Sequence, residues 1–242
     1  MGNYFNIMEN PYITRINSDH LFNFKCHPDI SCFNECCQNL QQVLLPYDII
    51  RLKHHFQCNS SIFLEAYTTS YTGIESGLPI VELKTKSQHD LHCIFVSENG
   101  CMVYPDRPSS CRYYPLGRFV TKSRETGKIT ESYTMIQEAH CKGHDSLCKQ
   151  SINQWRKEQE LEAFDKYNDL MIHLISAKNR AGLNTLSENQ RYLIYICCYD
   201  IDTFREFSKT QKLMDQAYPH TIEGDIQCFL NAMKWLEERV IK

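Results

Sequence analysis

No stretch of this chain stays apolar for long. The longest apolar run, YLIYICCY at 192–199, falls well short of the ~20 residues that cross a bilayer. The first twenty residues, MGNYFNIMENPYITRINSDH, lack the apolar core of a secretory leader. Asn6 stands where a myristoylation signal beginning at Gly2 requires Ser or Thr. With none of these devices, the chain is expected to be soluble and cytoplasmic, with no membrane partner. An excess of positive charge is also lacking: 26 Lys and Arg stand against 29 Asp and Glu, a net charge of −3. Without a basic stripe, nucleic acid is set aside as a partner. Glycine is scarce, at nine residues, and none of it forms the Gly-rich strand-to-helix fingerprint of a dinucleotide site. No serine, histidine and acid arrangement stands out for hydrolysis.

What the chain has in quantity is cysteine, thirteen residues in 242. A reducing compartment keeps thiols free, so a cytoplasmic cysteine cluster points to metal binding or catalysis more than to disulfides. The odd total leans the same way. Ten of the thirteen lie between Cys26 and Cys148, and only Cys197, Cys198 and Cys228 lie beyond. Thiol–disulfide exchange is a weaker reading, because the vicinal Cys36-Cys37 is not the CxxC arrangement that such chemistry uses.

The pattern along the chain is α+β. Pro46 suits a first helical position, and Ile49, Leu52 and Phe56 follow at helical spacing. In IVELKTK (80–86), Val81, Leu83 and Thr85 alternate with charged residues, the period of a half-buried strand. IFV (94–96) and MVY (102–104) flank Asn99-Gly100, a hairpin signal. From Ser151 the apolar residues Ile152, Trp155, Leu161, Phe164, Tyr167, Met171, Leu174 and Ile175 predict one long amphipathic helix. Ser187 and Gln190 read as a capping box opening another helix, and Ile222 to Val240 as a last one. The expected division is a cysteine-rich, metal-stabilised region at 1–150 and an antiparallel helical region at 151–242, packed together as one unit.

A Cys₄ zinc site or an iron–sulfur cluster gathers four thiolates, often from two separated loops. The candidates are Cys26, Cys32, Cys36 and Cys37, then Cys93, Cys101 and Cys111, then Cys141. Eight ligands suffice for two four-ligand sites. If 32–37 is helical, Cys32 and Cys36 share a face while Cys37 is turned about 100° from Cys36, so neighbouring thiols address different metals. A tight turn at Asn99-Gly100 would hold Cys93 about 16 Å from the strand partner of Cys101 at ~3.3 Å per residue. The two then serve different sites unless the turn is irregular. Arg107 and Arg112 bracket Cys111, where a guanidinium would lower the thiol pKa. His140 and His144 are alternative ligands, and Cys148 is left open. Cys58, Cys197, Cys198 and Cys228 read as core packing.

Taken together, Phe24, Cys26, Cys32, Cys36 and Cys37, the PYDIIRL segment, and CIF…CMVYPDRPSSCRYYPLG resemble a known family. Cys141 with Gly143, and the helix around Trp155, Tyr167 and Asn168, continue the likeness. The family is that of the YkgJ-like cysteine-cluster proteins, described as zinc- or iron-chelating domains and sometimes as iron–sulfur oxidoreductases. The likeness covers roughly 22–170. It implies zinc or iron, including a 4Fe-4S cluster, as the cofactor. The shorter family pattern has two residues between successive cysteines before the pair, whereas the gaps here are five and three. Some relatives, the flagellin lysine N-methylases, use S-adenosylmethionine, which gives an enzymatic alternative; the CxxxCxxC spacing of a radical S-adenosylmethionine site is absent.

Overall fold

The computed structural model describes residues 11–213 and 218–241; the leader and myristoylation expectations, which concern Gly2 and Asn6, lie largely or wholly outside them. Among the described residues the fold is α+β, with four small antiparallel sheets and helices that dominate the second half. Strand β1 (Ile13–Ile16) and β2 (Leu21–Asn23) open the described chain, followed by β3 (Val43–Leu44). Next come helices α1 (Pro46–His55) and α2 (Ser60–Tyr67), then β4 (Thr68–Thr72) and β5 (Pro79–Leu83). The short hairpin of β6 (Val96–Ser97) and β7 (Gly100–Cys101) precedes the one-and-a-half-turn α3 (Ser109–Tyr113). Then follow β8 (Leu116–Lys122), β9 (Ile129–Ile136) and β10 (Lys149–Ser151). The remainder is helical: α4 (Ile152–Glu158), α5 (Leu161–Asn168), α6 (Leu170–Arg180), α7 (Glu188–Cys198), α8 (Ile201–Thr210) and α9 (Ile222–Arg239).

The sheets are ordered β1-β9-β8, β10-β2, β3-β5-β4 and β6-β7. β5 follows the alternation seen in the sequence, with Val81 and Leu83 buried and Ile80 and Glu82 half-buried. Pro46 occupies the start of α1, where its missing N–H costs nothing. The capping box at Ser187 forms as expected: its hydroxyl accepts the Gln190 N–H and its N–H donates to the Gln190 side chain. One continuous apolar core runs from Ile16 to Ile241 and joins the cysteine-bearing loops to the helices. Phe63, Phe95, Phe164, Phe204 and Phe229 are its largest fully buried apolar side chains, each contributing roughly 1.5–3 kcal/mol of burial. Among the described residues, no helix is long and apolar enough to cross a membrane.

The single long helix expected from 151 is instead three. Glu160 takes a left-handed conformation, φ 54°, between α4 and α5, and a further bend at Asp169 separates α5 from α6. Neither glycine nor proline marks the first break. It is held by tertiary hydrogen bonds: Arg112 donates to the Gln159 carbonyl at 2.9 Å and Arg107 donates to the Gln159 side chain. Apolar spacing survives such a bend, so periodicity alone does not reveal it.

Candidate metal centre

Residues 31–34 are turns, and Glu35–Cys37 form one turn of 3-10 helix. Asn34, at φ 71°, bars a continuous helix through 32–37, so Cys32 and Cys36 do not share a helical face. Neighbours on a 3-10 turn diverge by ~120°, yet the Cys36 and Cys37 side chains remain within hydrogen-bonding reach. The Asn34 side chain donates to the Ser97 carbonyl at 3.0 Å, clasping this loop to the β6–β7 hairpin. Gly100, at φ 108°, would place a side chain 3.1 Å from Phe33. Only glycine lets the hairpin lie so close under the CFNECC loop.

The hairpin turn itself is shifted from the sequence expectation. Ser97 pairs with Gly100 and Val96 with Cys101, so the turn residues are Glu98 and Asn99. Cys93 is not in an extended strand. The Val96 N–H donates to the Cys93 carbonyl and the Cys93 N–H to the Cys37 carbonyl, at 3.0 and 2.7 Å. This tight bend folds Cys93 back towards Cys101 and removes the expected 16 Å separation.

Electrostatics divides the thiols into two neighbourhoods. Desolvation pushes Cys26 up to about 11, with Cys36, Cys32 and Cys141 adding to the rise. Cys141 is raised by burial and by Cys32 and Cys36, against a hydrogen bond from Tyr114. The Lys142 N–H donates to Cys32 Sγ at 3.1 Å, which ties Cys32 to the Cys141 turn. In the second neighbourhood, burial raises Cys93 and Cys101, and Cys93 raises Cys101 further. Cys111 is accessible at the surface but surrounded by protein; desolvation lifts its thiol, and Cys93, Cys101, Asp48 and Cys36 lift it more. Cys36 itself is raised first by its hydrogen bond with Cys37, then by burial. It influences members of both groups, so the vicinal pair lies at their junction.

Mutual repulsion of this kind is what a bound cation relieves, since it stabilises thiolate over thiol. The donor set therefore fits zinc or iron. Among the described residues no three His, Cys, Asp or Glu side chains are drawn into a closed coordination shell, so the groups are neighbourhoods of thiols rather than finished polyhedra. All thirteen cysteines are free of disulfides.

The supports of these loops are largely residues of the quoted motifs. Wholly buried Asp48 accepts the Ser109 N–H at 2.9 Å, its hydroxyl at 3.2 Å and the Leu45 N–H at 2.8 Å. Burial pushes its carboxyl up to about 6, against the hydrogen bonds from Leu45, Ser109 and Asn168. Asn168 accepts the Tyr47 N–H at 2.9 Å. Gln42 accepts from Cys111 Sγ at 3.5 Å. Phe24 is edge-on to Tyr114, His144 and Trp155, with centroids 5.9, 5.1 and 5.5 Å away. A side chain at Gly143 would sit 2.5 Å from Phe24, so glycine is needed where the Cys141 turn crosses this ring.

Several sequence readings change. Arg112, 2% exposed, is turned away from Cys111: it stacks on Phe164 at 4.5 Å and donates to the Arg107, Pro105 and Gln159 carbonyls. Arg107 lies over the Tyr104 ring, and its charge lowers Cys101. Cys148, left open by the sequence, is exposed. His144 gives its Nε2 to the Ile136 carbonyl at 2.9 Å. Cys197, Cys198 and Cys228 are buried in the core, as expected. The sequence reading gave no role to Glu138, which lies in no motif, or to Tyr114, which lies within CRYYPLG. The Tyr114 hydroxyl bonds Glu138 at 3.0 Å and also reaches Cys141, and Glu138 raises Cys36.

A family model, CxxCxxCC, described as a putative zinc- or iron-chelating domain, matches residues 25–142. No curated protein and no solved structure matches the chain.

Proposed function

We propose, from the premise that residues 25–142 of this chain belong to the CxxCxxCC family of zinc- or iron-chelating domains, that the protein holds its metal in two adjacent thiol centres. Cys26, Cys32 and Cys141 form the first and Cys93, Cys101 and Cys111 the second. Cys36 and Cys37, between them, supply the further thiolates. The observation that carries this reading is the position of Cys36, whose thiol acts on Cys26 and Cys141 on one side and on Cys101 and Cys111 on the other. A solitary four-thiolate zinc knuckle has no use for eight such neighbours. When bound, zinc supplies a structural clamp, whereas an iron–sulfur cluster carries electrons.

The residues around the centres do the positioning. Asp48 and Gln42 fix the loop of Cys111, Phe24 and Gly143 fix the turn of Cys141, and the Cys37 carbonyl fixes Cys93. A reducing, cytoplasmic setting keeps the thiols available. The S-adenosylmethionine alternative has no such observation in its favour.

The test is metal analysis with a visible absorption spectrum on protein purified without oxygen. Stoichiometric zinc in a colourless sample identifies a zinc clamp, and iron with sulfide and a brown colour identifies a cluster. Protein that takes up neither metal, as isolated or after reconstitution, overturns the reading.

A further inference from the structure

The two histidines near Cys141 have different fates. His144 is spent on a backbone carbonyl and stands edge-on to Phe24. His140 is not: its Nε2 is buried and has no hydrogen-bond partner. Buried polar atoms left without a partner are few in folded proteins and each needs a reason. The nearest acid oxygen, Glu138 Oε2, is 3.8 Å away, too far for a hydrogen bond.

The chain around His140 aims at the first thiol group. The Cys141 N–H donates to the Glu138 carbonyl at 3.0 Å, closing a turn that brings Glu138, His140 and Cys141 onto one bend. The next N–H, that of Lys142, donates to Cys32 Sγ at 3.1 Å. Glu138 is anchored by the Tyr114 hydroxyl, which also reaches Cys141. An imidazole nitrogen without a hydrogen-bond partner thus lies one residue before Cys141, on the bend that the Lys142 N–H ties to Cys32, with the anchored Glu138 carboxylate 3.8 Å away. Neutral imidazole is a ready ligand for zinc and iron, and three cysteines with one histidine make a recognised four-ligand set.

We propose that His140 ligates, through Nε2, the metal of the Cys26–Cys32–Cys141 group, giving this centre a nitrogen ligand while its neighbour is all-sulfur. The inference rests on the chelation reading above and puts an imidazole where that reading gave the first centre a thiolate from the vicinal pair. With the fourth place filled by nitrogen, Cys36 is left to the junction, where it also neighbours Cys101 and Cys111. A centre with one neutral ligand carries one negative charge fewer than a four-thiolate centre, so the two hold their metals with different strength.

X-ray absorption at the iron or zinc edge, whichever metal the full-length protein carries, tests this together with chelator competition. The wild type should show the outer-shell scattering of one imidazole, absent in His140→Ala. That variant should lose metal from one centre at least about tenfold more readily, since even partners outside the ligand shell are worth 10–100-fold in affinity. His140→Cys should restore retention with an all-sulfur signal, which a merely structural role for the imidazole does not predict. His140 lies in a turn, and circular dichroism confirms that the variants fold. Metal bound by sulfur alone in the wild type, or unchanged retention in His140→Ala, overturns the inference and leaves chelation standing. A wild type that takes up no metal overturns both.

Discussion

The carboxylate of Asp48, on α1, accepts the backbone N–H of Ser109, sixty-one residues later, at 2.9 Å in a fully buried setting. One side chain thus fixes both the start of its own helix, through Leu45, and the start of α3, which carries Cys111.

Asp48→Ala should therefore act at two places. It strands the N–H groups of Leu45 and Ser109, each costing about 1–3 kcal/mol when buried without a partner. The urea midpoint should fall by an amount equivalent to about 3 kcal/mol, and metal should be lost more easily on chelation. An unchanged midpoint would show that water replaces the carboxylate and that α3 does not depend on it.

The thiols should divide by neighbourhood. Serine nearly keeps the volume of cysteine but ligates zinc or iron poorly. Cys→Ser at 26, 32, 36, 37, 93, 101, 111 or 141 should each lower metal content. The same change at Cys197, Cys198 or Cys228 should leave metal content intact and cost on the order of 1–3 kcal/mol for a hydroxyl in an apolar setting. Cys148→Ser, at an exposed site, should change neither quantity by much. Full metal retention by both Cys36→Ser and Cys37→Ser would remove the vicinal pair from the centres.

Gly143→Ala offers a test that touches no ligand. The added carbon would meet Phe24 at 2.5 Å, and overpacking of this order costs about 1–3 kcal/mol. The turn of Cys141 should loosen, so metal is lost faster from this variant than from Gly182→Ala, whose site is open. Equal loss from the two would detach the Phe24 contact from metal retention.

Acid stability should depend on Asp202, on α8 in the fold's helical half. Burial alone would raise this carboxyl. The hydrogen bond from Lys53, the Ser60 N–H and the charges of Lys53 and Arg205 instead lower it from 3.8 to about 2. A depressed carboxylate adds stability that is present above its unfolded value and is lost as pH falls through its folded one. At ~1.4 kcal/mol per pKa unit the contribution is roughly 2 kcal/mol. Unfolding curves of wild type and Asp202→Asn should differ at pH 5 and converge as pH falls from about 4 towards 2. A constant gap across that range would assign the effect to packing.

What the sequence disclosed and what it hid follow from the range of the forces involved. Pro46, the alternation at Val81 and Leu83, and the Ser187–Gln190 box are local signals, and the structure carries all three. The α+β class and the likeness to a chelating family over residues 25–142 were also legible, because cysteine spacing and side-chain type are written in the chain. The left-handed Glu160 was not, because its cause is Arg112, forty-eight residues away. Cys93 looked remote from Cys101 only because Asn99-Gly100 was taken as the turn; the pairing shifts by one residue and a second bend precedes it. Tyr114 and Glu138 meet only in three dimensions.

Lys53 lies almost wholly inside the protein, with its Nζ 2.7 Å from Asp202 and 2.6 Å from Asp225; Arg205 pairs with the same two acids. These two cations and two anions balance one another within one interior cluster, so no one of the four can be exchanged without unbalancing the rest. Neutralising Asp225 alone would leave Lys53 and Arg205 to share Asp202, with one buried positive charge in excess, at a cost of several kcal/mol. Helix α1 is thereby clamped to α8 and α9 by charges that balance only when all four are present.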